Sequence, residues 1–152
     1  MSKQLEEVAL SIKRVQARHH RTLDRRLNPV GVSLVQWNAL REIGRNPGAS
    51  AHALAELTFN SDQAFGTLAT RLIRQGFVIR EPGKGRAVVH RLTPNGAKKR
   101  DAGQVILLEV LKRSFAPLTA AERQQLQTLL TKLLSSPAAP AHTALAEDRQ
   151  SG

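Results

Sequence analysis

The chain has 152 residues, of which 41% are hydrophobic, and 23 Lys+Arg against 12 Asp+Glu give it a formal net charge of +11. That length and apolar content predict one compact domain with room for a helical arm, and exclude a chain too polar to fold. The absence of cysteine excludes disulfides, cysteine zinc sites, iron–sulfur ligation and thiol redox sensing.

In chain order, Leu5, Val8, Ile12, Val15, His19, Leu23 and Leu27 recur at three- and four-residue spacing and predict a long amphipathic helix. Asn28-Pro29-Val30-Gly31 ends it. Ser33 is placed to cap a second helix carrying Leu34, Trp37, Leu40 and Ile43, which Asn46-Pro47-Gly48 closes. Ser50 caps a short third helix expected to bury Ala53, Leu54 and Leu57. A tight turn at Thr58-Phe59-Asn60 leads to a fourth helix, opened by Asn60 or Ser61. Its stripe is Phe65, Leu68, Ala69, Leu72 and Ile73, and Gly76 stops it. Phe77–Arg80 reads as a strand, Pro82-Gly83-Lys84-Gly85 as a turn, and Arg86–Leu92 as the returning strand. A fifth helix runs from Ala97 to Phe115. Thr119-x-x-Glu122 is a capping box for a sixth, whose stripe is Leu126, Leu129, Leu130, Leu133 and Leu134. Residues 136–152 are small, polar and proline-containing and read as a disordered tail.

The basic excess is not spread evenly. Residues 61–100 hold nine basic and two acidic residues, and residues 1–30 hold seven and three; the remaining stretches balance. Focused charge of this kind points to an anionic partner, with nucleic acid first and an anionic membrane surface second. No run approaches the roughly 18 apolar residues of a bilayer span. The opening residues Met1–Glu6 lack the apolar run of a signal peptide, so a cytoplasmic location is expected.

Three short helices followed by a β-hairpin is the order of a winged helix-turn-helix. The fold class expected is therefore mainly α with a small β-hairpin (α+β). Opposite the stripe of the fourth helix lie Gln63, Gly66, Thr67, Thr70, Arg71 and Arg74, with Ser61 at its start. Such side chains can reach base edges and phosphates in a major groove. Gln63 and Thr67 suit base edges; Thr70, Arg71 and Arg74 suit phosphates or packing. Gly66 weakens the helix by about 1 kcal/mol relative to Ala, which a close approach to DNA or close helix packing would explain. Lys84 and Arg86, with Arg80 and Arg91, are expected to form a basic wing tip suited to the minor groove.

In this order, Gln36–Ile43, Leu54–Leu57, Leu68–Val78 and Arg86–Gly96 resemble the MarR family of regulators over about residues 5–135. The resemblance implies a homodimer that binds a palindromic duplex operator and acts as a repressor or activator of transcription. It also implies a dimer interface built by the first, fifth and sixth helices, through Leu5, Val8, Ile12, Leu126, Leu130 and Leu133. The implied division is a dimerisation helix over 1–30, a winged helix-turn-helix over 31–96, dimerisation helices over 97–135 and the tail beyond. Two departures stand out. Lys84 occupies the place where the family usually carries an Asp two residues before the Arg matching Arg86. Gln63-Ala64-Phe65-Gly66-Thr67 is also poorer in Ser, Thr and Arg than the family's recognition helix.

The resemblance further implies a small aromatic or anionic effector held between the dimer helices and the winged domain, matched here by Arg18, His19, Thr22 and Trp37. The residues themselves favour core packing for Trp37 and an interface histidine for His19. No cofactor is expected. Metal binding is not expected either, because the five histidines form no H-x₃-H pair and none sits beside an obvious carboxylate cluster. Catalysis lacks a motif, since neither G-x-S-x-G nor a Walker loop is present. The competing readings are an RNA-binding winged-helix protein, disfavoured by only 3% aromatics, and a protein-interaction module, which would leave the charge excess without a role.

Overall fold

The computed structural model describes residues 1–85 and 87–136. Six helices and one hairpin follow in the order α1 (Ser2–Leu27), a 3₁₀ turn (Asn28–Val30), α2 (Leu34–Arg45), α3 (Ala51–Leu57), α4 (Asp62–Arg74), β1 (Val78–Pro82), β2 (Val88–Leu92), α5 (Pro94–Phe115) and α6 (Ala120–Leu134). The chain forms two compact units, Met1–Ser114 and a second that begins at Phe115.

In the first unit the core gathers around α2. Leu34, Trp37, Leu40 and Ile43 fall at helical spacing and are all buried. Phe65 and Leu72 from α4, Leu54 from α3, Leu27 from α1 and Val78 from β1 close over them. Truncating one of these, such as Leu40→Ala, would cost about 2–5 kcal/mol. Capping fixes the helix starts. Ser33 and Gln36 form a reciprocal capping box on α2, and the hydroxyls of Ser50 and Ser61 accept from the N–H groups of Ala53 and Ala64, each at 3.1 Å. At the end of α1, Gly31 takes φ +91, which lets the chain turn into α2.

α5 is anchored to this core by close backbone approaches. A Cβ at Gly103 would overlap the Trp37 indole, and one at Gly96 would overlap the Phe77 carbonyl. The indole Nε1–H donates to Arg100 O at 2.9 Å. The α1–α5 seam is joined by Arg26 to Glu109 at 2.6 Å and by His19 Nε2 to Ser114 Oγ at 2.5 Å. Only Leu23 and Leu27 of α1 are buried; Leu5, Val8, Ile12 and Val15 remain 45–65% exposed.

The hairpin is antiparallel, pairing Val78 with Leu92, Arg80 with His90 and Pro82 with Val88. In the second unit, the capping box of Thr119 and Glu122 opens α6, and its backbone N–H bond holds the Glu122 carboxyl below its ordinary pKa. Leu129, Leu133 and Leu134 of α6 are exposed, and Leu126 and Leu130 half-buried.

The structure corrects several boundaries. Leu57 is exposed, and Ala55 takes the core position expected of it. Pro82 ends β1 and β2 begins only at Val88, because Gly83 N–H bonds Ala87 O at 2.8 Å and lengthens the connection. α5 begins at Pro94 rather than Ala97, as proline fits a helix's first turn. Most of the tail assigned to 136–152 lies outside the described residues.

Candidate nucleic-acid interface

α4 is buried on one side through Phe65, Ala69 and Leu72, with Leu68 and Ile73 half-buried beside them. Its opposite side carries Gln63, Thr67, Arg71 and Arg74, all exposed, with Gly66 and Thr70 half-buried. The hydroxyls of Thr67 and Thr70 donate back to the carbonyls of Gln63 and Gly66, at 3.1 and 3.0 Å. Among the described residues nothing lies within 4 Å of a Cβ built on Gly66, so packing among them does not explain that glycine.

These residues line an open groove of about 570 Å³, whose wall Arg80 completes. The groove therefore holds three guanidinium groups and no carboxylate, an arrangement that attracts phosphate and repels other cations. The structure thus brings Gln63, Gly66, Thr67, Thr70, Arg71 and Arg74 together as one surface.

Arg80 and Arg91 do not join the wing tip. Arg91 pairs with Glu81, which cancels its charge. Arg80 lies at the foot of the hairpin, where its Nη2 donates to Thr70 Oγ1 at 3.2 Å and its Nε donates to His90 Nε2 at 3.4 Å. The relevant signal in the sequence is the strand register, which places Arg80 across from His90. His90 is buried with its ring edge-on to Phe65, centroids 5.7 Å apart. Burial first, and the Arg80 charge second, push its pKa below the ordinary value. Its Nε2 accepts from Arg80, so Nδ1 carries the proton; that buried atom has no partner among the described residues. At the tip, Lys84 is exposed and Gly85 takes φ +67; Arg86 lies outside the described residues.

The four positions matched to an effector are not gathered into one pocket. Trp37 is core, 1% exposed, with its N–H satisfied and the Arg41 guanidinium 4.9 Å from the ring centroid. This agrees with the core packing that the sequence favours for Trp37. Arg18 is exposed, and His19 and Thr22 are half-buried, with His19 engaged by Ser114. An open cleft of about 450 Å³ instead follows another strip of α1, lined by His20, Arg21, Asp24, Arg25, Asn28, Val32 and Ser33.

His52, contrary to the sequence reading, does sit between carboxylates. Its Nδ1 meets Asp62 at 2.8 Å and its Nε2 meets Glu56 at 3.1 Å. The Asp62 hydrogen bond and charge, then the Glu56 charge, raise its pKa. Among the described residues no group of three or more ligating side chains is placed to hold a metal ion.

A family model described as the MarR family matches residues 30–87, the span from the 3₁₀ turn through the hairpin connection. The HTH-type transcriptional repressor Rv2887 of Mycobacterium tuberculosis is 28% identical over 109 residues, covering 70% of this chain and 78% of that protein. Two solved structures of Rv2887 also match. In complex with p-aminosalicylic acid, it aligns with TM-score 0.69 and 27% identity over 84% of this chain and 98% of that one. In complex with DNA, it aligns with TM-score 0.66 and 26% identity over 82% and 95%. A cysteine-to-serine variant of MarR from Escherichia coli shares the fold, with TM-score 0.78 and 24% identity over 88% of this chain and 98% of that one.

Proposed function

We propose that the chain is a MarR-family transcriptional repressor that binds double-stranded DNA and answers to a small aromatic acid, a reading supported by the family match over residues 30–87 and the likeness to Rv2887. The observation that carries this reading is the α4 groove, where three guanidinium groups and two threonines surround a glycine open to the outside. In it, α4 enters the major groove. Gln63 and Thr67 meet base edges, while Arg71, Arg74 and Arg80 meet phosphates. Lys84, together with Arg86, reaches the neighbouring minor groove.

The protein acts as a homodimer on a two-fold operator. The exposed apolar side chains of α1 and, separately, of α6 support this, since both stripes are too long to stay in water. A dimer sets its two reading helices one turn of DNA apart, about 34 Å. Residues 1–30 and 97–135 then serve assembly, and 31–96 serve DNA recognition. This reading assigns no catalytic step and a cytoplasmic site of action.

Rv2887 was crystallised with p-aminosalicylic acid and with DNA, which supports an aromatic acid as effector here. Such a ligand regulates only if it binds one arrangement of the dimer better than another. Selection of bound fragments from genomic DNA, with and without salicylate, tests the whole reading. Recovery of a palindromic sequence that salicylate releases supports it; recovery of fragments sharing no sequence contradicts it.

A further inference from the structure

The two helices that make up the helix-turn-helix end in the same hydrogen-bonded motif, with different residues at its centre. After α4, the N–H groups of Gly76 and Phe77 bond Ile73 O and Leu72 O, both at 3.0 Å, and Gly76 takes φ +79. After α3, the N–H groups of Phe59 and Asn60 bond Glu56 O and Ala55 O at 3.1 and 2.9 Å, and Phe59 takes φ +58. Phe59 is the only non-glycine with positive φ among the described residues. This position favours glycine because a Cβ there crowds the following carbonyl. The ring is also 98% exposed, so no burial within the chain offsets the strain. The residue is doubly unfavourable to the free protein.

Its place in the chain is beside the start of α4. Phe59 lies two residues before Ser61, the cap of α4, at the end of the helix from which Gln63 faces the groove. We propose that Phe59 is a specificity-determining residue whose ring packs on the 5-methyl group of a thymine at the edge of each half-site. The inference rests on the DNA-binding reading. In the major groove the thymine methyl is the apolar feature of the base edges, and an aromatic ring offers no hydrogen bond to the others.

The test uses the full chain, the duplex it selects, and the same duplex with each thymine in turn replaced by deoxyuridine, which lacks only the methyl. Wild type is expected to lose about tenfold in affinity at one symmetric pair of positions. The Phe59→Gly variant is expected to bind the parent duplex about tenfold more weakly, to be indifferent to deoxyuridine there, and to melt no lower than wild type. Full affinity of Phe59→Gly, or indifference of wild type to every deoxyuridine, overturns the inference while leaving DNA binding intact. A lower melting temperature for Phe59→Gly overturns it too, by making the ring a support of the fold. Failure of wild type to bind any duplex overturns the DNA-binding reading itself.

Discussion

The guanidinium of Arg80 donates to the hydroxyl of Thr70 across the 3.2 Å between the foot of the hairpin and the outer side of α4. The Thr70 hydroxyl in turn donates a hydrogen bond to the Gly66 carbonyl, so strand and helix share one chain of hydrogen bonds. The pair sits at the groove wall, exposed enough to water that its worth to stability is small. On the proposed DNA-binding reading, its value lies in holding a cation beside α4.

Arg80→Gln should therefore weaken binding to every duplex about tenfold and lower the slope of log affinity against log salt by about one. Thermal unfolding should hardly move. Filter binding at several salt concentrations distinguishes this from a change of sequence preference.

Gln63→Ala should do the reverse. Gln63 is exposed, so stability should stay within about 0.5 kcal/mol. Discrimination at one base pair of each half-site should fall by about 1–3 kcal/mol. Repeating the fragment selection with the variant reads this as a relaxed position in the recovered sequence.

Gly66→Ala separates folding from binding by sign. A methyl there meets nothing within 4 Å, and alanine in a helix interior is about 0.5–1 kcal/mol better than glycine. The melting temperature should rise. If the DNA backbone approaches Gly66 closely, duplex affinity should fall in the same variant.

The two perturbed histidines give opposite pH dependences. His90 has a folded pKa below the ordinary 6.5 through burial and the Arg80 charge, so the unfolded chain binds its proton more readily. The stability His90 confers is complete above the unfolded value and is lost as pH falls through the lowered folded one. Acid should therefore loosen the contact of β2 with α4, and His90→Leu should flatten the decline below pH 6.5. His52 has a raised pKa from Asp62 and Glu56; its contribution is full below 6.5 and fades as pH climbs through the raised value. Asp62→Asn should bring that titration down, which a pH series of imidazole NMR shifts would record.

Assembly can be tested on α1. Ile12 is 45% exposed in the single chain, so Ile12→Glu should leave the fold of the chain intact and bring the mass measured by light scattering from dimer to monomer. Duplex affinity should drop with it, because two linked reading heads bind far more tightly than one.

Much of this architecture is legible in the sequence because its signals are local. Ser33, Ser50, Ser61 and Thr119 each cap the helix expected of them, and the 3/4 spacing separates the buried from the open side of α4. What was illegible depends on pairing across the fold. Arg80 reads as part of a basic run, yet the register with His90 and the reach to Thr70 place it at the helix. His52 has one partner legible at helical spacing, Glu56 four residues on, but Asp62 is ten residues away and approaches only when α4 turns back on α3. Leu57 fits an apolar spacing, but the buried side of α3 is set by the adjacent pair Leu54 and Ala55, and Leu57 lies off it.

The most direct measurement of the central claim is equilibrium binding of the full chain to a selected duplex and to single-stranded RNA of equal length, across 50–300 mM salt. The account predicts preference for the duplex, with log affinity falling linearly against log salt at a slope of several units. Equal or tighter binding to the RNA, or a duplex affinity that ignores salt, would contradict it.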